Sequence, residues 1–144
     1  MLNGGVGSQM ILANMLAPGK RILISGEGLY TVPALLTSNM TIKVKLGNTI
    51  IASATTSSLL LGADKKAISL NIRLVCRSLG ATGSVVAGGT INYTNVSGQK
   101  FWDNTGSVVT VDTTVDQMVD VTATWNLAST TRSITMKICP IMVA

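Results

Sequence analysis

From Lys20 onward apolar and polar side chains alternate in short runs, separated by Gly, Asn, Ser and Thr. A period of two residues is the signature of a half-buried β-strand. In "TIKVKL", Ile42, Val44 and Leu46 fall on one side and Thr41, Lys43 and Lys45 on the other. Gly47-Asn48 follows and "TIIASAT" returns, which predicts a tight hairpin. "AISLNIRLVCR" places Ile68, Leu70, Ile72, Leu74 and Cys76 on one face, opposite Ser69, Asn71 and Arg73. "RILIS" and "YTVPALL" read as separate strands divided by Gly26 and Gly28, with Pro33 marking an edge or bend. In "SVVAGGTINYTNV" the pair Gly88-Gly89 predicts a bulge or bend. "SVVTVD", "MVDVTATW" and "SITMKICPIMV" complete a set of about eight strands, the spacing of an antiparallel sandwich or barrel.

One window competes with this reading. "VTVDTTVDQMVDVTATW" repeats Val-Asp every four residues, imitating a helix face. Asp112, Asp116 and Asp120 would then stack and repel, and Val and Thr are poor helix formers. Strand, turn, strand is the expectation. Residues 1–19 stand apart, with four glycines before Ser8 and at Gly19 and no charged side chain. Met10, Ile11, Met15 and Leu16 would line a short helix capped by Ser8 and stopped by Pro18. The chain is therefore expected to divide into an N-terminal arm, 1–19, docked on the domain or, as the preferred reading, on a neighbour or partner, and a sandwich domain, 20–144. The arm's contacts are expected from Met10, Ile11, Leu12, Met15 and Leu16.

Composition adds a bias toward association. Hydrophobic residues make up 47% of the chain and charged residues only 12%, more apolar than a lone domain of 144 residues needs. No run is long and apolar enough for a membrane span, and the N-terminus lacks a basic region, so neither membrane insertion nor secretion is expected. Without a leader, the sequons at Asn39, Asn92 and Asn95 read as chance products of an Asn- and Thr-rich chain. Cys76 shares the phase of the core face; Cys139, beside Pro140, is out of phase with Ile134, Met136 and Ile138. Two buried thiols are expected rather than a disulfide. Nine of the eleven Lys and Arg precede residue 101, and four of the six acidic residues follow it. A solvated mixed surface is the expectation, with head-to-tail pairing of subunits the sharper alternative.

Candidate chemistry is sparse. There is no histidine, which removes the commonest general base and metal ligand. Glu27, the single glutamate, reads as a turn residue between glycines. The Asp residues of 112–120 lack the spacing of a calcium loop. "GGVGSQ" and "APGKR" lack the glycines and the Ser or Thr of a phosphate loop, and no serine-hydrolase elbow is present. No enzyme, metal or cofactor is expected. Lys43, Lys45, Arg73 and Arg77 fall on the polar faces of two strands and predict a basic strip. Without interleaved aromatics it suits an acidic protein surface better than nucleic acid. Phe101 and Trp102, in "KFWDNTG", are the only candidates for an aromatic recognition loop, against the plainer reading of a cap on the core.

Two long stretches carry a resemblance. "GLYTVPALLTSNMTIKVKLGNTIIASATT" and "VDTTVDQMVDVTATWNLASTTRSITMKICPIMV" resemble a recurrent bacteriophage virion jelly-roll family over about residues 20–144. The shared features are an early Pro beside a Leu-Thr pair, the "KVKLGNT" hairpin, an Asp-Thr-Thr-Val turn, "VDVTATW" and a final "SITMK" strand. The resemblance implies an antiparallel jelly-roll β-sandwich, a homotrimer and a structural role without catalytic residues. It implies a head decoration (cement) protein that contacts the major capsid protein on the capsid exterior and is made in the host cytoplasm. The alternative it implies is a head or tail fibre, or receptor-binding, domain. The absence of a repetitive shaft favours decoration.

Overall fold

The computed structural model describes residues 9–94 and 99–144, and among them every regular element is a β-strand. Eleven strands form two antiparallel sheets. In the smaller sheet the order is β1 (Gln9–Ile11), β9 (Gln117–Trp125), β3 (Met40–Leu46), β4 (Thr49–Thr55). The larger is built on β2 (Arg21–Thr31), β5 (Lys66–Ser78) and β6 (Gly83–Tyr93). Along its first edge β10 (Ser133–Ile138) and β11 (Ile141–Val143) share β2. Along the other, β7 (Gln99–Phe101) and β8 (Val108–Val111) share β6. The strands beyond the eight expected are short: β1, β7 and β11 have three residues each.

The core lies between the sheets and follows the alternation. Ile42, Val44 and Leu46 are buried against Ile68, Leu70, Ile72, Leu74 and Cys76 of the opposite sheet. The β3–β4 hairpin turns on Gly47-Asn48, and Gly47 takes the positive φ (58°) that makes the turn tight. Residues 112–116 form a turn between β8 and β9, so the competing helix does not form.

Four expectations are corrected. "RILIS" and "YT" belong to one strand, because Gly26 and Gly28 face the core where neighbours crowd in. A Cβ at Gly28 would lie 2.4 Å from the Thr135 carbonyl, and one at Gly26 would lie 2.9 Å from Leu70 Cγ. "VPALL" is therefore not strand: β2 ends at Thr31 and Pro33 opens a loop. Gly88-Gly89 causes no bulge. Both stay in register with Arg73 and Ile72, and the shift comes instead between Cys76 and Ser78. The fourth correction is the arm helix. Residues 9–11 pair with β9 as a strand, and Asn14, at a positive φ of 59°, turns the chain where the helix was expected. The expected cap, Ser8, lies outside the described residues.

Candidate functional site

Three connections meet at one end of the sandwich: β2–β3 (32–39), β4–β5 (56–65) and β9–β10 (126–132). Backbone bonds tie the first two together, from Val32 N–H to the Ala63 carbonyl (2.9 Å), Leu59 N–H to Ser38 (2.7 Å) and Gly62 N–H to Pro33 (3.2 Å). Val32, Leu59 and Ala63 point inward and are buried. The third connection joins through Asn126, whose N–H donates to the Asn39 carbonyl (3.0 Å) and whose Oδ1 accepts from Asn39 N–H (3.2 Å).

At the centre of this end lies Arg132, only 6% exposed. Its Nε donates to Ser38 Oγ (2.8 Å) and its Nη1 to the Leu127 carbonyl (2.8 Å), so one guanidinium spans two connections. Ser38 Oγ passes the link on by donating to the Leu36 carbonyl (3.2 Å). Arg132 Nη2 is buried with no hydrogen-bond partner. A buried cation without a carboxylate is costly, and its surroundings here are carbonyl and hydroxyl oxygens that organise loops.

The organised loops present leucines outward. Leu35 is 92% exposed, and Leu36, Leu60, Leu61 and Leu127 are exposed with it. Lone exposed leucines are ordinary on a protein surface; five carried on three tied loops make this end the candidate contact surface. The charged side chains on these connections and at the start of β5 are Asp64, Lys65, Lys66 and the buried Arg132. This end is thus apolar with a cationic excess. Sequence reasoning missed it because "PALL" was absorbed into a strand. Its available signal was the pair of leucine runs, "ALL" and "LLL", sitting among turn-forming residues.

The expected site residues fare unevenly. Of the arm residues, Ile11 and Leu16 are buried in the chain's own core, 2% and 5% exposed, so they are not contacts for a partner. The cause is β1, whose pairing with β9 turns Ile11 under the smaller sheet. Met10, Leu12 and Met15 are exposed; the segment carrying the last two is tied to the β8–β9 turn, at the other end of the sandwich, by Ala13 N–H to Asp116 and Asn14 N–H to the Thr113 carbonyl. The basic strip is divided. Lys43 and Lys45 lie on the outer side of the smaller sheet and Arg73 and Arg77 on strand β5 of the larger, so no single sheet presents all four. Lys45 stands directly opposite Asp120 on β9.

Phe101 and Trp102 also part company. Phe101 is 64% exposed on β7, whereas Trp102 is 1% exposed and seals the seam between β4 and β6. The Trp102 Nε1–H donates to the Asn71 carbonyl (2.9 Å). The next residues hold the β4 edge: Asp103 N–H donates to the Ser53 carbonyl (2.8 Å) and Asn104 Nδ2 to the Ile51 carbonyl (2.8 Å). Trp102 therefore cannot serve a recognition loop; the Asn95 sequon lies outside the described residues.

Acidic residues late in the chain are largely engaged within it. Asp112 accepts from the Thr114 N–H (2.8 Å) and Oγ1–H (2.6 Å), which holds its carboxyl below the usual value. Asp116 accepts from Ala13 N–H (2.8 Å), and Asp103 pairs with Lys100 (3.2 Å). Cys76 and Cys139 are buried and unpaired with each other, and burial pushes both thiols up from their ordinary range. Among the described residues no group of three His, Cys, Asp or Glu is placed to hold a metal, and no helix is long and apolar enough to cross a membrane. Comparison with protein-family models, curated proteins and solved structures finds no match to this chain.

Proposed function

We propose that this chain is a structural virion protein, a capsid decoration (cement) protein that trimerises on a phage head and clamps neighbouring shell subunits through its leucine-bearing end. The observation that carries the reading is the group of Leu35, Leu36, Leu60, Leu61 and Leu127 on loops tied by Arg132 and by backbone bonds. Fully burying one leucine contributes about 1.5–3 kcal/mol, before association costs. Because the loops are tied in advance, little further ordering has to be offset on docking. Lys65 and Lys66 at the same end favour a shell surface that offers carboxylates around an apolar pocket.

The finer reading of the sandwich as a jelly-roll rests on a folded-ribbon pairing. β2 pairs with β10, β3 with β9, and β5 with β6 as the innermost hairpin. The departures are β4, which stays beside its hairpin partner β3, β8, which pairs with β6, and β5, which joins the innermost hairpin to β2. A second reading, a fibre or receptor-binding domain, is favoured by one observation, the exposed Phe101 beside the Lys100–Asp103 ion pair.

Binding to shells stripped of the chain tests the clamp. Leu35→Ser combined with Leu61→Ser is expected to weaken shell binding at least about tenfold, since even a fraction of two leucine burials exceeds 1.4 kcal/mol. The folded domain should be unaffected, because both side chains are exposed. Unchanged binding by the double variant would remove the leucine end from the mechanism.

A further inference from the structure

We propose that the outer face of the larger sheet carries a binding site for an acidic glycan, a polysaccharide bearing uronic or nonulosonic acid carboxylates, centred on Arg73. The site lies roughly 23 Å along β5 from Lys66 and the leucine end. It does not depend on the clamp.

This face is cationic. Arg21, Arg73, Arg77 and Lys137 are exposed on it against a single carboxylate, Glu27. Glu27 stands beside Ser69 on β5, four residues and roughly 13 Å from Arg73, too far to neutralise it. Arg21, diagonal to Arg73 on the neighbouring strand, is roughly 8 Å away. Arg77 lies four residues further along β5, roughly 13 Å away. The one ion pair among the described residues is Lys100–Asp103, so none of these three guanidinium groups is paired there. Such a patch concentrates polyanions at its surface.

Exposed arginines are ordinary on a protein surface. What singles out Arg73 is the empty position beside it. In register it stands between Leu23 of β2 and Gly88 of β6. Gly88 presents no side chain, and a Cβ there would touch only Thr105 Cγ2. The result is a hollow of about 570 Å³, within the size range of small-ligand sites. Ser25, Asn71 and Thr105 line it beside Arg73 and Leu23. Ser25 Oγ donates to Asn71 Oδ1 (3.2 Å), which steadies the amide and leaves its Nδ2 to a ligand. Thr90 follows Asn71 in the same row, and Phe101, 64% exposed, closes that row at the sheet edge.

Each of these groups has a counterpart on an acidic sugar. The guanidinium takes the carboxylate in bidentate fashion. The Asn71 amide and the Ser25, Thr90 and Thr105 hydroxyls match ring hydroxyls. Leu23 and the Phe101 ring offer apolar surface to the C–H faces of successive sugars. A plain acidic protein surface would engage the arginines alone. Nucleic acid would call for several stacking aromatics among the cations, and this face has one.

Isothermal titration of the full-length chain with polygalacturonate and with polysialic acid tests the site. Dextran supplies a neutral polymer; poly-L-glutamate and duplex DNA supply polyanions of other classes. At least one of the two acidic glycans is expected to bind, at least about tenfold tighter per charge than poly-L-glutamate or DNA, with dextran inert. Arg73→Gln is an exposed change that leaves the core untouched, and Gly88→Val fills the hollow at unchanged charge. Each should weaken glycan binding at least about tenfold, with thermal unfolding as the folding control. Binding of neither acidic glycan would overturn the proposal, as would a folded Arg73→Gln variant that binds like the unaltered chain. Equal binding of poly-L-glutamate would overturn it in favour of an acidic protein partner, and equal binding of DNA in favour of nucleic acid. The titration needs no shell, so its failure is distinct from failure of the leucine end.

Discussion

Trp102→Ala is expected to lower the unfolding free energy by about 3–5 kcal/mol, the range for truncating a buried aromatic. Trp102 is among the largest fully buried side chains, and it plugs the gap between the two sheets where β4 faces β6. Two costs combine. The indole volume is lost from a closely packed seam, and the Asn71 carbonyl loses its Nε1–H donor. The damage should spread to the residues that follow, because Asp103 and Asn104 hold the β4 edge from the same short segment. Phe101→Ala, one residue earlier, removes an exposed ring and should change stability by no more than about 0.5 kcal/mol. Urea titrations of the two variants supply the comparison. Equal losses would mean that Trp102 does not seal the core.

Gly89→Ala is the second large effect, and its control is again the neighbouring residue. Gly89 sits in the middle of β6 at φ +136°, and a Cβ there would lie 2.1 Å from the Asn71 carbonyl oxygen. Backbone strain of order 1–3 kcal/mol adds to overpacking of order 1–3 kcal/mol. The expected loss is thus about 2–6 kcal/mol, with the β5–β6 pairing as its casualty. At Gly88 a Cβ would meet only Thr105 Cγ2, at an ordinary 3.7 Å, so Gly88→Ala should be tolerated. Stability close to that of the unaltered chain for Gly89→Ala would show that the β5–β6 ladder is not held as described.

These two residues also mark the limits of reading the sequence. The alternation in "TIKVKL" and "AISLNIRLVCR" was legible because a half-buried strand imposes a period of two directly on the chain. What Gly88-Gly89 was for was not legible. A glycine that makes a bulge and a glycine that lets a neighbouring carbonyl approach leave the same letter, and only the Asn71 oxygen decides between them. Gly26 and Gly28 mislead in the same way, breaking one eleven-residue strand into two on paper. In "MILANML" the spacing imitates a helix, yet β9 offers an open edge, and pairing with it outweighs local propensity.

The candidate site was less legible than the fold. Apolar letters at Leu35, Leu36, Leu60, Leu61 and Leu127 look no different from core letters until the loops that carry them are placed at one end. Arg132, remote from Ser38 in sequence, gives no local sign that it joins two connections. The basic strip failed for the opposite reason. Alternation assigns Lys43 and Arg73 correctly to polar faces, but it does not say which strand belongs to which sheet.

The central claim, that this chain coats a shell, is tested most directly by its copy number in purified virions, measured by quantitative mass spectrometry against the major shell protein. The expected result is about one copy per shell subunit, as lattice decoration requires. A ratio of only a few copies per hundred shell subunits, or absence from the particles, would contradict it.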